Sequence, residues 1–171
     1  MIRLIDWTAR TWTFDLPVGL FPALLERVRG TPARAAALLS GVPDATLAAR
    51  VDGKWSAKDH VGHLDDLDEL DDTRLTEFLA GAEVLTAADM TNRKTYDADH
   101  AATPTAELLS RFAAHRAALV ARLEPLTEAQ VAATARHPRL GRPMRLLDWL
   151  QFVAEHDDHH LARAREALRR L

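Results

Sequence analysis

Apolar positions recur at spacings of three and four along most of the chain, and that period predicts helices. Leu64, Leu67, Leu70, Leu75 and Phe78 share one helical face, so a long helix is expected from Ser56 to about Leu79. Ser56 with Asp59 forms a capping box at its start, Asp standing where Glu or Gln is usual, and Gly81 lies just past its end. A second long stripe is Leu108, Phe112, His115, Leu119 and Leu123. It follows Thr103-Pro104, an N-cap residue with a first-turn proline, and stops at Pro125. The last stripe, Trp149, Val153, His156, His160, Ala164 and Ala167, predicts a helix from about Met144 to the end. Upstream, a short helix over roughly 18–29 begins near Pro17. A second piece runs to about Leu39, with Thr31 as N-cap and Pro32 in the first turn.

The segments between are irregular. Residues 1–16 carry Trp7, Trp12 and Phe14 without a helical period and read as an extended N-terminal extension whose aromatics cover part of the core. Residues 82–103 are a long polar connection, of a length that in a compact domain is functional or disordered. Thr127 with Gln130 makes a capping box for a brief turn, and 137–143 reads as a loop. No alternating strand pattern and no internal repeat is evident. The chain therefore reads as one all-α domain over 1–171, a bundle of three or four long helices with its extension at 1–16.

Composition narrows the function. Apolar residues are 47% and charged residues 27%, with a net charge of −3, so no basic footprint for nucleic acid is present. There is no cysteine, which removes disulfides, thiolate ligands and a cysteine nucleophile. No apolar run is long enough to cross a membrane and the N-terminus is broken by charge too early for a secretory signal, so a cytoplasmic location is the default expectation.

The chemistry gathers in the histidines. His156 and His160 interrupt the apolar stripe of the last helix one turn apart, the spacing of a two-histidine metal site, although several pairs at that spacing arise by chance among eight histidines. The zinc-protease pattern is absent, because Asp157 stands where its Glu would follow the first histidine. A further ligand must come from elsewhere. His63, on the inner edge of the 56–79 helix beside the small Gly62, is the best partner, with His60 as its competitor and His159 a close neighbour of the pair. His115 falls in a buried stripe and is a rival interior histidine. Asp65, Asp66, Asp68, Glu69, Asp71 and Asp72 crowd one helix and read mostly as a solvated face, with Asp66 placed to approach a cation.

Two segments carry a resemblance. Trp55-Ser56 followed by Val61-Gly62-His63-Leu64, and Phe152-Val153-Ala154-Glu155-His156-Asp157-Asp158-His159-His160-Leu161, resemble the DinB/YfiT-like metal-dependent proteins, in order and spacing from about Pro17 to the end. The resemblance implies an up-down-down-up four-helix bundle and a metal held by His63, His156 and His160. Three imidazoles leave coordination positions open, as in catalytic sites, and an all-nitrogen set suits zinc, nickel, cobalt or iron without choosing among them. Asp59, Asp66, Glu155 and Asp157 are candidates to orient the imidazoles. Protonation should release the ion below a pH of about 6.

For activity, the resemblance implies a thiol-dependent S-transferase or isomerase acting on a small-molecule substrate. Its cofactor would be a low-molecular-weight thiol, such as bacillithiol or mycothiol, deprotonated on the metal. Asn92, Arg93, Thr95, Tyr96 and His115 are candidate cofactor contacts, an ordinary solvated loop being an equal reading of 89–96. No catalytic side chain is assigned. A metal-dependent hydrolase is the alternative, and a non-catalytic, stress-associated metal-binding bundle is the reading from another class. The resemblance also implies a tendency to form a homodimer.

Overall fold

A computed structural model describes residues 2–171. In chain order the helices are α1 (Phe21–Arg29), α2 (Thr31–Leu39), α3 (Asp44–Leu47), α4 (Ala57–Leu79), α5 (Arg93–Asp97), α6 (Thr105–Leu123) and α7 (Glu128–Val131). A hairpin of β1 (Thr134–His137) and β2 (Arg142–Arg145) follows, and α8 (Leu146–Leu168) closes the chain. The result is a four-helix bundle: α4, α6 and α8 are three columns, and α1 with α2 forms the fourth, packed on both α6 and α8.

The fourth column is bent where Pro32 removes an N–H that would have bonded the carbonyl of Val28. That carbonyl instead accepts from Arg116 Nη1 at 3.5 Å. Thr31, expected as an N-cap, is the first helical residue, and its hydroxyl donates to Asp157 Oδ2 at 2.7 Å. The expected capping boxes at Ser56/Asp59 and Thr127/Gln130 both form. Asp59 is further clamped by Arg50, whose Nε and Nη2 donate at 2.7 and 2.8 Å.

Two apolar clusters fill the bundle. One gathers Leu75, Phe78, Leu119, Leu123, Trp149 and Val153, with Trp7, Trp12 and Phe14 of the N-terminal segment packed over it as expected. The other gathers Leu39, Val61, Leu64, Leu108, Phe112 and Ala164. Along α4, α6 and α8 the residues between these clusters are polar and buried: Asp68, Arg116 and Asp157. A layer of charge thus divides the core, and Arg116 holds it together. Its Nε donates to Asp68 Oδ1 at 2.9 Å, and its Nη1 and Nη2 grip the two oxygens of Asp157.

Three expectations are corrected here. The acidic residues of α4 are not mainly a solvated face, because Asp65, Asp68 and Asp71 are buried. Arg116 of α6 reaches Asp68, while Asp65 accepts from Arg111 Nε at 2.5 Å. His115 does not belong to the buried stripe of α6; it lies outside, bonded to Asp65 Oδ1 at 2.7 Å, and Arg116 takes the inward position. The supposed loop at 137–143 is the end of β1, a turn at Gly141 (φ +64°) and the start of β2. Four-residue strands are too short for alternation to stand out in the sequence. The hairpin is anchored to the 82–103 connection, where Arg136 N–H donates to the carbonyl of Glu83 at 2.8 Å and Leu85 N–H to that of Arg136 at 3.0 Å.

That connection is tied down along its length. Arg74 Nε donates to the carbonyl of Thr86 at 3.0 Å, Lys94 Nζ to that of Asp66 at 3.1 Å, and the buried Lys58 Nζ to those of Ala101 and Thr103.

Candidate metal centre

His63 comes from the middle of α4, and His156 and His160 from one face of α8, where the helical period stacks them. Each offers a ring nitrogen, and the three nitrogens lie within 4.8 Å of one another. The ring centroids are 5.4 Å apart for His63 and His156, 4.6 Å for His63 and His160, and 4.4 Å for His156 and His160. Trp7 meets His156 edge-on at 4.8 Å, and Trp55 lies 5.0 Å from His63. The N-terminal extension and the segment before α4 therefore wall the cluster on two sides.

The outer nitrogens of two rings are already occupied. His63 Nδ1 bonds Thr95 Oγ1 at 2.9 Å, and His160 Nδ1 lies 3.1 Å from His60 Nδ1. Both pairs leave Nε2 free to turn inward, the arrangement by which a partner orients a metal-binding imidazole. Burial pushes His63 down to about 4, while burial and then the neighbouring histidines hold His156 and His160 well below the ordinary 6.5. All three rings are neutral at neutral pH, the form that coordinates metal. The expected loss of metal below a pH of about 6 is corrected accordingly. Protons compete for His63 only as the pH approaches about 4.

The carboxylates expected to orient the rings do other work. Asp59 is bound by Arg50 and Ser56, Glu155 by Arg10 and Arg27, and Asp157 by Arg116 and Thr31. Asp66 is close enough to act on His63 by its charge, but its hydrogen bond goes to His100 Nε2 at 2.9 Å, while Thr95 holds His63 Nδ1. His100, an unremarked member of the long connection, is fully buried against Gly62. A Cβ at position 62 would stand 2.3 Å from its ring, so the glycine is required for the approach of His100.

The cluster opens on a cavity of about 590 Å³. Its walls include Trp7, Trp55, Leu67, Phe152, His159 and Asn92, together with Arg74, His137 and Arg139. Of the candidate cofactor contacts, Asn92 lines this cavity, in the left-handed region (φ +54°) that Asn tolerates. Thr95 contacts His63 from behind. Arg93 is exposed and pairs with Asp97, Tyr96 is exposed with its ring 5.8 Å from Trp55, and His115 lies on the outer face of α6. Trp7, Arg74, His137 and Arg139 also line the cavity, and no local pattern marks them as cavity residues.

A four-helix bundle with three neutral imidazoles converging from two helices on a cavity defines a candidate metal-binding protein of the helical-bundle class. A family model described as the DinB superfamily matches residues 27–164, and the chain belongs to that superfamily. Among solved structures it is similar to YfiT from Bacillus subtilis, described as a probable metal-dependent hydrolase with an unusual four-helix bundle topology. The TM-score is 0.81 at 20% identity, over 94% of this chain and 93% of that one. None of the curated proteins matches the chain by sequence.

Proposed function

We propose that this protein is a metal-dependent enzyme whose divalent ion is held by His63, His156 and His160. The observation that carries the proposal is the convergence of three nitrogens within 4.8 Å, at the wall of a cavity large enough for a small organic substrate. The donor set fits such an ion: all three groups are neutral nitrogens, two are fixed from behind, and no fourth side chain among the described residues joins the cluster. An ion there would supply Lewis-acid chemistry, lowering the pKa of water or of a thiol.

The chain's own residues do the rest. Trp7, Trp55 and Phe152 exclude bulk water, which strengthens every charge interaction in the cavity. Thr95 and His60 fix the ring planes of His63 and His160, and the Arg116–Asp157 pair fixes the turn of α8 between the two α8 histidines. Hydrolysis is the first reading, supported by the description of the similar YfiT. A thiol-dependent transfer is the second. It rests on the motifs of α4 and α8 and on a cavity volume that admits a thiol together with its electrophile.

An activity screen of the metal-loaded protein separates them. Ester or amide hydrolysis without added thiol supports the first reading, and turnover of an electrophile only with thiol present supports the second. Equal rates for the loaded protein and a His156→Ala variant in both screens would refute the enzyme reading.

A further inference from the structure

In the wall of the same cavity lies a group of donors that nothing among the described residues answers. His137, at the end of β1, is 2% exposed. Its Nδ1 accepts from Leu140 N–H at 3.2 Å, which places the ring proton on Nε2. That Nε2–H is buried and has no partner among the described residues. Arg139, in the hairpin turn, stacks its guanidinium 5.7 Å from the ring of Phe152, and its Nη2 is likewise buried and unpartnered. Arg74, on α4, is 4% exposed and spends its Nε on the carbonyl of Thr86. A buried donor left unpaired is costly, so two beside the buried guanidinium of Arg74 ask for an acceptor.

The charges around the group set the kind of acceptor. Three carboxylates line the same cavity: Asp71, Asp89 and Asp157. Asp157 is neutralised by Arg116, also in the wall. Asp89 is turned to its own loop, accepting from Thr91 N–H at 2.9 Å and Arg93 N–H at 3.0 Å. Asp71 faces Arg74 and offsets one of the two cations, with no ion-pair contact between them. The cavity's three guanidinium groups and three carboxylates balance formally, but among the described residues neither Arg74 nor Arg139 has an ion-pair partner, whereas Arg116 is held by Asp68 and Asp157. The crowding is visible in the protonation of the group, since burial and then the two arginines push His137 down to about 4 and keep it a neutral donor.

We infer that Arg139, His137 and Arg74 form a subsite for a single carboxylate of the substrate, so that the enzyme acts on small molecules bearing a carboxylate at one end and the reacting group at the other, against the histidines. The unpartnered Nη2 of the Arg139 guanidinium and the unpartnered Nε2–H of His137 match the two oxygens of one carboxylate. The assignment of the reacting end rests on the proposed metal site; the carboxylate subsite itself does not.

The test is calorimetric, on full-length protein stripped of metal and dialysed free of chelator, with benzoate as probe and benzamide as its uncharged counterpart. Benzoate should bind with a dissociation constant at least about tenfold below that of benzamide, the weight of one charged hydrogen bond. Arg139→Gln should remove that preference, Arg139→Lys should restore part of it, and Arg122→Gln, on the outer surface, should change nothing. The Nε2–H proton resonance of His137 should shift on adding benzoate, a reading that needs no variant and so survives a poorly folding one. Equal binding of benzoate and benzamide overturns the inference, as does an unchanged affinity in a folded Arg139→Gln. Benzoate binding that appears only with metal and vanishes in His63→Ala also overturns it, because the carboxylate would then sit on the ion. Metal titrations of the same samples report the other reading separately: a wild type that takes benzoate but no metal keeps the subsite and loses the metal site.

Discussion

Replacing Gly62 with Ala sets two effects of known size against each other. Alanine favours a helix interior over glycine by about 0.8–1.0 kcal/mol, so on propensity alone the substitution stabilises α4. The new Cβ would, however, lie 2.3 Å from Cγ, 2.4 Å from Cδ2 and 2.5 Å from Nδ1 of His100. Carbon atoms pack at about 3.5–4.0 Å, so the ring or the helix must move by more than an ångström. The ring has nowhere to go, being fully buried with its Nε2 held to Asp66. Overpacking of this kind costs about 1–3 kcal/mol, here toward the upper end. The clash wins, and Gly62→Ala should destabilise by about 1–2 kcal/mol net, lowering Tm by about 2–8 °C in a protein of this size. Thermal melts followed by circular dichroism of Gly62→Ala, His100→Ala and the double variant close the cycle. With the ring gone, Gly62→Ala should become neutral or stabilising. A loss of the same size in both backgrounds would refute the clash as its cause.

Other expectations follow from the same contacts. Arg116→Met strands Asp68 and Asp157 in the core, and urea unfolding should register a loss of about 3–5 kcal/mol; a loss under 1 kcal/mol would mean the charged layer is hydrated. Thr95→Val removes the partner of His63 Nδ1, so metal affinity by calorimetry should fall about 10–100-fold with helicity retained, and an unchanged affinity would remove Thr95 from the site. Burial holds His63, His137 and His159 at about 4 against an ordinary 6.5. Below pH 6.5 the unfolded chain therefore takes up protons that the folded chain refuses. Their contribution is complete above that pH and is lost as pH falls toward 4, by about 1–2 kcal/mol for each histidine at pH 5. Urea denaturation of metal-free protein giving the same stability at pH 7.5 and pH 5 would contradict it.

The bundle was legible because each long helix carries an apolar stripe, and the capping boxes mark the start of α4 at Ser56 and of the brief α7 turn at Thr127. The histidines of α8 were legible for the same reason, as polar residues within a stripe. Burial of charge was not. A buried Asp68 is spelled like a surface aspartate, and only Arg116 arriving from another helix distinguishes them. The period also left His115 and Arg116 equally placed to turn inward, and the carboxylates waiting on α4 and α8 selected the arginine. The cavity wall at His137 and Arg139 depends on a hairpin too short to show alternation and on its pairing with the 82–103 connection, and neither has a local signal. His100 was hidden by the same connection, its partner Gly62 being the one visible trace of it.

Titration of metal-stripped protein with zinc and with nickel, in the wild type and in single histidine variants, decides whether the site exists. The wild type should bind one ion per chain, tightly, with negligible proton release from the rings at pH 7 because they are already neutral. His63→Ala, His156→Ala and His160→Ala should each abolish tight binding, whereas His159→Ala and His137→Ala should keep it, since neither belongs to the converging set. Tight binding that survives His160→Ala and is lost with His159→Ala would contradict the assignment of the α8 face, and no tight binding by the wild type with either metal would contradict the site itself.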